Sequence, residues 1–194
     1  MFHRYILILT CCFSVTSTLS GYAQNKVEKE YRIKKTEVPK NALDFINKCS
    51  FKKKIKWYAE ESQDGKSIEA KTYHQNRKYS IEFDSSGKPE DVEIKIPFST
   101  IPNDLQNRIQ SSLDSIFVKS KIKKIQKQWI SDRSTLISLI KRETTRNKHT
   151  TNYELIIKGK KEKHSDYYEL LYSDKGVLLQ MLRIVSANTD NLIY

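Results

Sequence analysis

The chain has 194 residues, three cysteines and a formal net charge of +12. That length suits one ordinary domain or two small ones sharing an interface, and either buries enough apolar surface to fold without covalent staples. Two of the cysteines, Cys11 and Cys12, fall in an N-terminal leader, so an internal disulfide framework is excluded.

The leader "MFHRYILILTCCFSVTSTLSGYA" has a basic start at Arg4, an apolar run from Tyr5 to Val15, and small residues at Gly21 and Ala23. This is the three-part pattern of a secretory signal peptide, residues 1–23, cleaved after Ala23. Its apolar run is well short of the ~20 residues that a membrane span needs, and "ILTC" is a poor lipidation box. Cleavage removes one charged residue, Arg4, which leaves a net charge of +11 and Cys49 as the single thiol. The expected location is the periplasm, with no membrane span in the mature chain. Residues 24–35, "QNKVEKEYRIKK", form a polar extension too charged to pack alone.

A first unit, residues 36–98, opens with a Val-Pro step and a helix that spaces Val38, Ala42, Ile46 and Cys49 on one side. Cys49 on that apolar side reads as a small hydrophobe. Three strand patterns follow, "KIKWYAE", "SIEAKTY" and the hairpin "KYSIEFDSSGKPEDVEIKI". The second unit, residues 99–187, repeats the order. An Ile-Pro step starts a helix with Ile101, Leu105, Ile109, Leu113 and Ile116 on one side, followed by "KIKKIQKQW", "NYELIIK" and "YYELLYSDKGVLLQMLRI". Tyr79, Ile81, Phe83 and Gly87 recur 89 positions later as Tyr168, Leu170, Tyr172 and Gly176. An insertion, residues 131–151, interrupts the second unit, and its Leu136, Ile137 and Ile140 suit either one or two helical turns or an extended edge. Residues 188–194 form a tail. The fold class is α+β: two tandem repeats, each a helix plus a four-stranded antiparallel sheet, each sheet covered on one face by its own helix. Trp57, Ile81, Phe83, Val92 and Ile94, and then Tyr168, Leu170 and Tyr172, should face the helices.

The leader, "VPKNALDFINK", "KWYAEES", "SIEAKTY" and above all "YSIEFDSSGKPEDVEI" resemble the PepSY-like periplasmic proteins of Gram-negative bacteria, also called β-lactamase-inhibitor-like. The resemblance covers most of the mature chain and is strongest in the first unit; the second departs through its insertion and its "LLYSDKGVLL" hairpin. It implies tandem PepSY or β-lactamase-inhibitor-like architecture, and a binding role, since relatives with assigned roles bind or inhibit secreted enzymes through a sheet surface. Architecture alone does not carry function.

The chemistry-bearing residues form no reaction centre in the sequence. His74, His149 and His164 lie in predicted loops without metal-ligand spacing. Glu60 and Glu61 are neighbours on a strand and therefore point to opposite faces. The "DSSG" and "SDKG" turns offer two oxygen ligands at most, too few for calcium, and turn chemistry accounts for them. The chain reads as a non-enzymatic binding protein that needs no cofactor. Its partner is expected to be another secreted or envelope protein, with nucleic acid disfavoured by export. Strand alternation places Tyr58, Tyr73, Ile156, Tyr167 and Leu171 on the sheet face turned away from the helices, and these form the candidate partner-binding set, unless the insertion or the N-terminal extension covers it. The alternative is an anionic envelope polymer, lipopolysaccharide or an acidic polysaccharide, held by the lysine-rich "KSKIKKIQK" and "KGKKEKH", with Lys121, Lys123, Lys124, Lys160 and Lys161 as contacts.

Overall fold

A computed structural model describes residues 24–27, 29–62 and 65–185. The leader, residues 1–23, and the tail, residues 188–194, lie outside the described residues. Three helices, α1 (Lys40–Lys48), α2 (Asn103–Ile116) and α3 (Arg133–Lys141), pack on one face of a ten-stranded sheet. The strands are β1 (Gln24–Lys26), β2 (Lys29–Ile33), β3 (Lys56–Ser62), β4 (Gly65–His74), β5 (Arg77–Phe83), β6 (Pro89–Lys95), β7 (Lys119–Ile130), β8 (Thr150–Lys161), β9 (His164–Ser173) and β10 (Leu178–Ile184). From β2 to β10 each strand pairs antiparallel with the next, and β1 lies parallel to β10 at the far end.

Alternation along the strands decides which side chains meet the helices. Val38, Ala42, Phe45 and Ile46, at the start of and along α1, pack onto Trp57, Ile68, Ala70, Ile81, Phe83, Val92 and Ile94. Leu105, Ile109 and Leu113 of α2 pack onto Ile125, Leu155, Ile157, Tyr168, Leu170 and Tyr172. All eight sequence-predicted core positions lie in these two clusters. Cys49 is buried in the first, where burial pushes its thiol up to about 12 despite the nearby charges of Lys141 and Arg133. An unreactive thiol follows from that shift.

Two glycines seat the hairpins under the helix starts. A Cβ on Gly87 (φ +82°) would lie 2.8 Å from the Ala42 nitrogen, and one on Gly176 (φ +77°) would lie 3.0 Å from Arg108 Cβ. Each hairpin turn therefore touches the first turns of its own helix, a contact that needs both positive φ and no side chain.

The arrangement differs from the sequence expectation in two respects. There is one sheet rather than two, because β6 and β7 pair directly, with Val92 opposite Trp129 and Ile94 opposite Lys127. The first helical layer is also completed from the second half of the chain. The insertion is helical, and Leu136 and Ile140 of α3 are fully buried in the α1 cluster. Asp132 caps α3 by accepting from the backbone N–H groups of Ser134 and Thr135 at 2.9 and 3.0 Å. Arg133 lies 5.4 Å from the centre of the Phe45 ring and donates to the Asn41 carbonyl at 3.1 Å, which ties α3 to α1.

The N-terminal extension is not an appendage. β2 pairs with β3 at one end of the sheet and β1 with β10 at the other, yet only two residues separate β1 from β2. In a flat sheet those ends would be roughly 40 Å apart, whereas the linking residues span at most roughly 11 Å. The sheet must therefore curl round until its ends meet on residues 24–33. Parity agrees: with β1 and β2 counted as one strand, the up-and-down ring has an odd number of strands, so its first and last members run the same way. The observed β1–β10 pairing is parallel.

Phe83 is fully buried, with its ring centre 5.5 Å from that of Phe45. Phe83→Ala should cost about 3 to 5 kcal/mol in denaturant unfolding; a loss below about 1 kcal/mol, typical of surface sites, would reject this packing. Deleting residues 24–27 should lower the Tm and speed amide exchange at Leu182–Ile184, which loses its parallel partner. Unchanged exchange there would contradict the closure.

Candidate functional site

A sheet with helices on one face usually leaves its other face to water. Here that face lines the inside of the curl, and its polar residues are buried. Glu69, Ser80, Asp91, Glu93, Gln126, Gln128 and Asn152 are all no more than 9% exposed. The register explains their proximity: Glu69 stands opposite Glu82, and Glu82 opposite Asp91, so three carboxyls occupy successive rungs of β4, β5 and β6. Like charges directly opposite one another are destabilising.

Amides and lysines offset part of this repulsion. Gln128 Nε2 donates to Asp91 Oδ2 at 2.8 Å and Asn152 Nδ2 to Gln128 Oε1 at 2.9 Å. Gln126 donates to Glu93, and the Ser80 hydroxyl to Glu69. Lys71 Nζ lies 2.8 Å from Glu69 and 3.0 Å from Glu30. Although burial pulls the Lys71 ammonium down, these two carboxylates hold it well above the ordinary lysine range. Lys26 of β1 reaches Glu169 at 2.8 Å, so both parts of the closing segment are tied to the interior by ion pairs.

Asp91, Glu82, Glu93 and Glu169 hold their protons more tightly than usual. Burial, and then the charge of Glu154, push Asp91 up to about 7, and its Oδ1 has no hydrogen-bond partner among the described residues. Glu82 is raised well above the usual range by burial and by Asp91, and Glu93 by burial and Glu154. Glu169 is raised by burial and Glu154 against the pull of Lys26. Among the described residues, no group of three His, Cys, Asp or Glu is placed to hold a metal ion.

The candidate partner set divides. Ile156 is on this inner face but only 1% exposed, which corrects its expected accessibility: the closed curl buries it between Lys124 and Glu169, its cross-strand neighbours. Leu171 is half-buried beside Glu154, in the half of β9 nearer its far turn. Tyr58 is half-buried, with Lys71 Nζ 4.8 Å from its ring centre. Tyr73 is 52% exposed, and Tyr167 is half-buried near the start of β9. The β4–β5, β6–β7 and β8–β9 connections all lie at one end of the antiparallel ring, so Tyr73 and Tyr167 share a rim. The inserted helix packs on the opposite face, and the N-terminal extension joins the sheet at its two ends rather than lying over this face.

The candidate lysines divide as well. Lys121 and Lys160 are exposed, whereas Lys124 faces inward 4.0 Å from Glu154. Lys123 is half-buried at the β7 bulge, and Lys161 lies 5.3 Å from the Phe117 ring centre on the helix side. The register adds a feature that sequence spacing did not reveal. Lys119 stands opposite Lys160 and Lys121 opposite Lys158, all four exposed at the rim that carries Tyr73 and Tyr167. Burial and the ammoniums of Lys78 and Lys124 pull Lys95, at the same end, below its ordinary range. The curl therefore has a basic, tyrosine-bearing rim above an acidic interior.

His74 corrects another expectation. It ends β4, with its ring centre 5.2 Å from Phe51 and 5.6 Å from Tyr79, and is packed rather than solvated. The "DSSG" turn follows the sequence reading: Asp84 Oδ1 accepts from the backbone N–H groups of Ser86 and Lys88, both at 2.9 Å.

No family model matches the chain, and no curated protein matches it. Its fold does recur in solved structures. A BLIP-like protein from Bacteroides fragilis NCTC 9343 is 13% identical with a TM-score of 0.50, the match covering 78% of this chain and 90% of that one. A DUF2874 family protein from Bacteroides ovatus ATCC 8483 is 16% identical with a TM-score of 0.50, covering 80% and 93%. A candidate periplasmic protein from Bacteroides eggerthii DSM 20697 is 13% identical with a TM-score of 0.50, covering 80% and 94%. The fold is thus α+β and BLIP-like, as the sequence resemblance implies; at these identities the likeness concerns fold alone.

Asp91, Glu82 and Glu93 titrate higher folded than unfolded, so the folded chain holds more protons, for Asp91 between about pH 4 and 7. The stabilisation from Asp91 is complete below the unfolded carboxylate range and is lost as pH rises through about 7, and the raised Glu82 and Glu93 act in the same direction. Asp84 and Asp132, held low by hydrogen bonds, act oppositely and only in acid. The Tm should therefore be higher at pH 5 than at pH 8, and Asp91→Asn should raise it at pH 8 and flatten the slope. A Tm that climbs from pH 5 to pH 8 would refute the buried carboxyl row.

Proposed function

We propose that the protein is a non-enzymatic periplasmic binding protein that captures another envelope protein at the rim of its curled sheet. The supporting observation is the closure of the sheet. With the inner face occupied by its own buried polar residues, the accessible aromatic surface near it is the end bearing Tyr73 and Tyr167. An exposed Tyr73 and a half-buried Tyr167 among charges suit a protein interface, because each ring offers broad contact area and a polar tip. The leader and the BLIP-like fold support export and a binding role.

The lysine rungs favour a second reading, an anionic envelope polymer. Two like-charged cross-strand pairs cost stability in isolation, and a polyanion laid across them would relieve that repulsion while releasing its counterions.

Salt separates the two. The exported protein, immobilised and exposed to its own envelope extract, should retain its partner from 50 to 500 mM salt, and Tyr73→Ala combined with Tyr167→Ala should abolish capture with little change in Tm. Retention by the double variant would sink the tyrosine rim. Complete elution by salt, together with loss of binding in Lys121→Glu with Lys160→Glu, would establish the polymer instead.

A further inference from the structure

A second feature lies outside the curl. Where the C-terminal half of α1 overhangs the β2–β3 edge, the first core cluster is open and leaves a groove of about 720 Å³. Its floor is Ile33, Leu43, Ile46, Ile55 and Trp57, all part of the α1 cluster or packed against it. Its rim carries the exposed Lys34, Lys35 and Lys54. Arg32 and Lys56 border it, but the register turns their side chains to the opposite face, since Ile33 and Trp57 are the residues facing the helices. No acidic residue lines the groove, and Asn47 is its one uncharged polar side chain. Lys34, Lys35 and Lys54 make no ion pair with another described residue, and Glu37, the nearest carboxylate in sequence, accepts from the Lys34 backbone N–H at 2.7 Å.

We infer that this groove binds a single-chain anionic amphiphile, a free long-chain carboxylate, with its alkyl chain along the floor and its head among the three lysines. The volume falls within the range of small-ligand sites. The separation of chemistry selects the ligand: an apolar floor offers nothing to the hydroxyls of a sugar or the ring polar atoms of a nucleotide, whose burial without partners is costly. A purely apolar ligand would leave the cationic rim unused. A carboxylate on an alkyl chain satisfies both zones, with the lysine stems extending the apolar wall beneath their ammonium heads. This site does not depend on the rim proposed above for partner capture.

The test is titration of the exported protein with octanoate, laurate, myristate and palmitate below their aggregation thresholds. Trp57 fluorescence, in a Trp129→Phe background, reports binding. Affinity should rise about fourfold per methylene until the floor is filled. Dodecanol should bind about tenfold more weakly than laurate, and Lys34→Glu, Lys35→Glu and Lys54→Glu together should bring laurate to the dodecanol level with the Tm unchanged. Leu43→Trp, which fills the groove, should abolish binding of every chain length. Equal affinity for octanoate and palmitate, or for laurate and dodecanol, would overturn the inference. So would binding unaffected by the triple reversal or by Leu43→Trp, and so would binding to anionic phosphatidylglycerol vesicles without saturable binding of free laurate, which would identify a membrane surface instead.

Discussion

The constraint on which this structure turns is the pairing of one short segment, residues 24–33, with both ends of the sheet. Ten strands laid flat have two edges, each presenting unpaired backbone groups that invite further strands. Joining them through a single segment brings those edges together and makes the sheet curl. Once curled, the face away from the helices has little water to reach, and whatever side chains the register puts there must find partners inside.

That burial gives the interior its character. A row of carboxyls on neighbouring strands would be unremarkable on a wet sheet face, where solvent screens each from the next. Enclosed, Glu82 and Asp91 feel each other and Glu69 through a medium that screens poorly, and for those two the balance shifts toward the protonated forms. The closing segment supplies part of the compensation through Lys26 on Glu169 and Glu30 on Lys71. Closure and charge are therefore linked: the strand that encloses the acids also brings a lysine to one of them.

The helical layer shows a similar economy of parts. The α1 core is roofed in part by α3, drawn from the insertion in the second half of the chain, so the two halves are held together by an exchanged helix as well as by the β6–β7 ladder. Where neither helix reaches, at the β2–β3 edge, the apolar layer stays open beneath lysines from the adjoining turns. The chain's excess positive charge is thus placed largely on its exterior, at the open groove and at the rim, while a row of its carboxyl groups is turned inward.

Much of the fold was legible in local pattern. Period-two alternation placed Ile81, Phe83, Val92, Ile94, Tyr168, Leu170 and Tyr172 toward the helices, and near-3.6 spacing found the buried sides of α1 and α2, because burial against one neighbouring layer leaves a periodic trace in the residues that make it. The positive-φ glycines Gly87 and Gly176 were marked by their turns for the same local reason. What tertiary structure alone decided depends on contacts between residues far apart in the chain. No local pattern shows that "QNKVEKEYRIKK" pairs with both Trp57 to Glu61 and Leu182 to Ile184, that Leu136 and Ile140 complete a core begun a hundred residues earlier, or that Lys119 and Lys121 stand opposite Lys160 and Lys158. Alternation puts Glu82, Asp91 and Ile156 on the face away from the helices but is silent on whether that face is wet. Only the closure of the sheet, a long-range pairing whose partners lie some hundred and fifty residues apart, makes that face an interior.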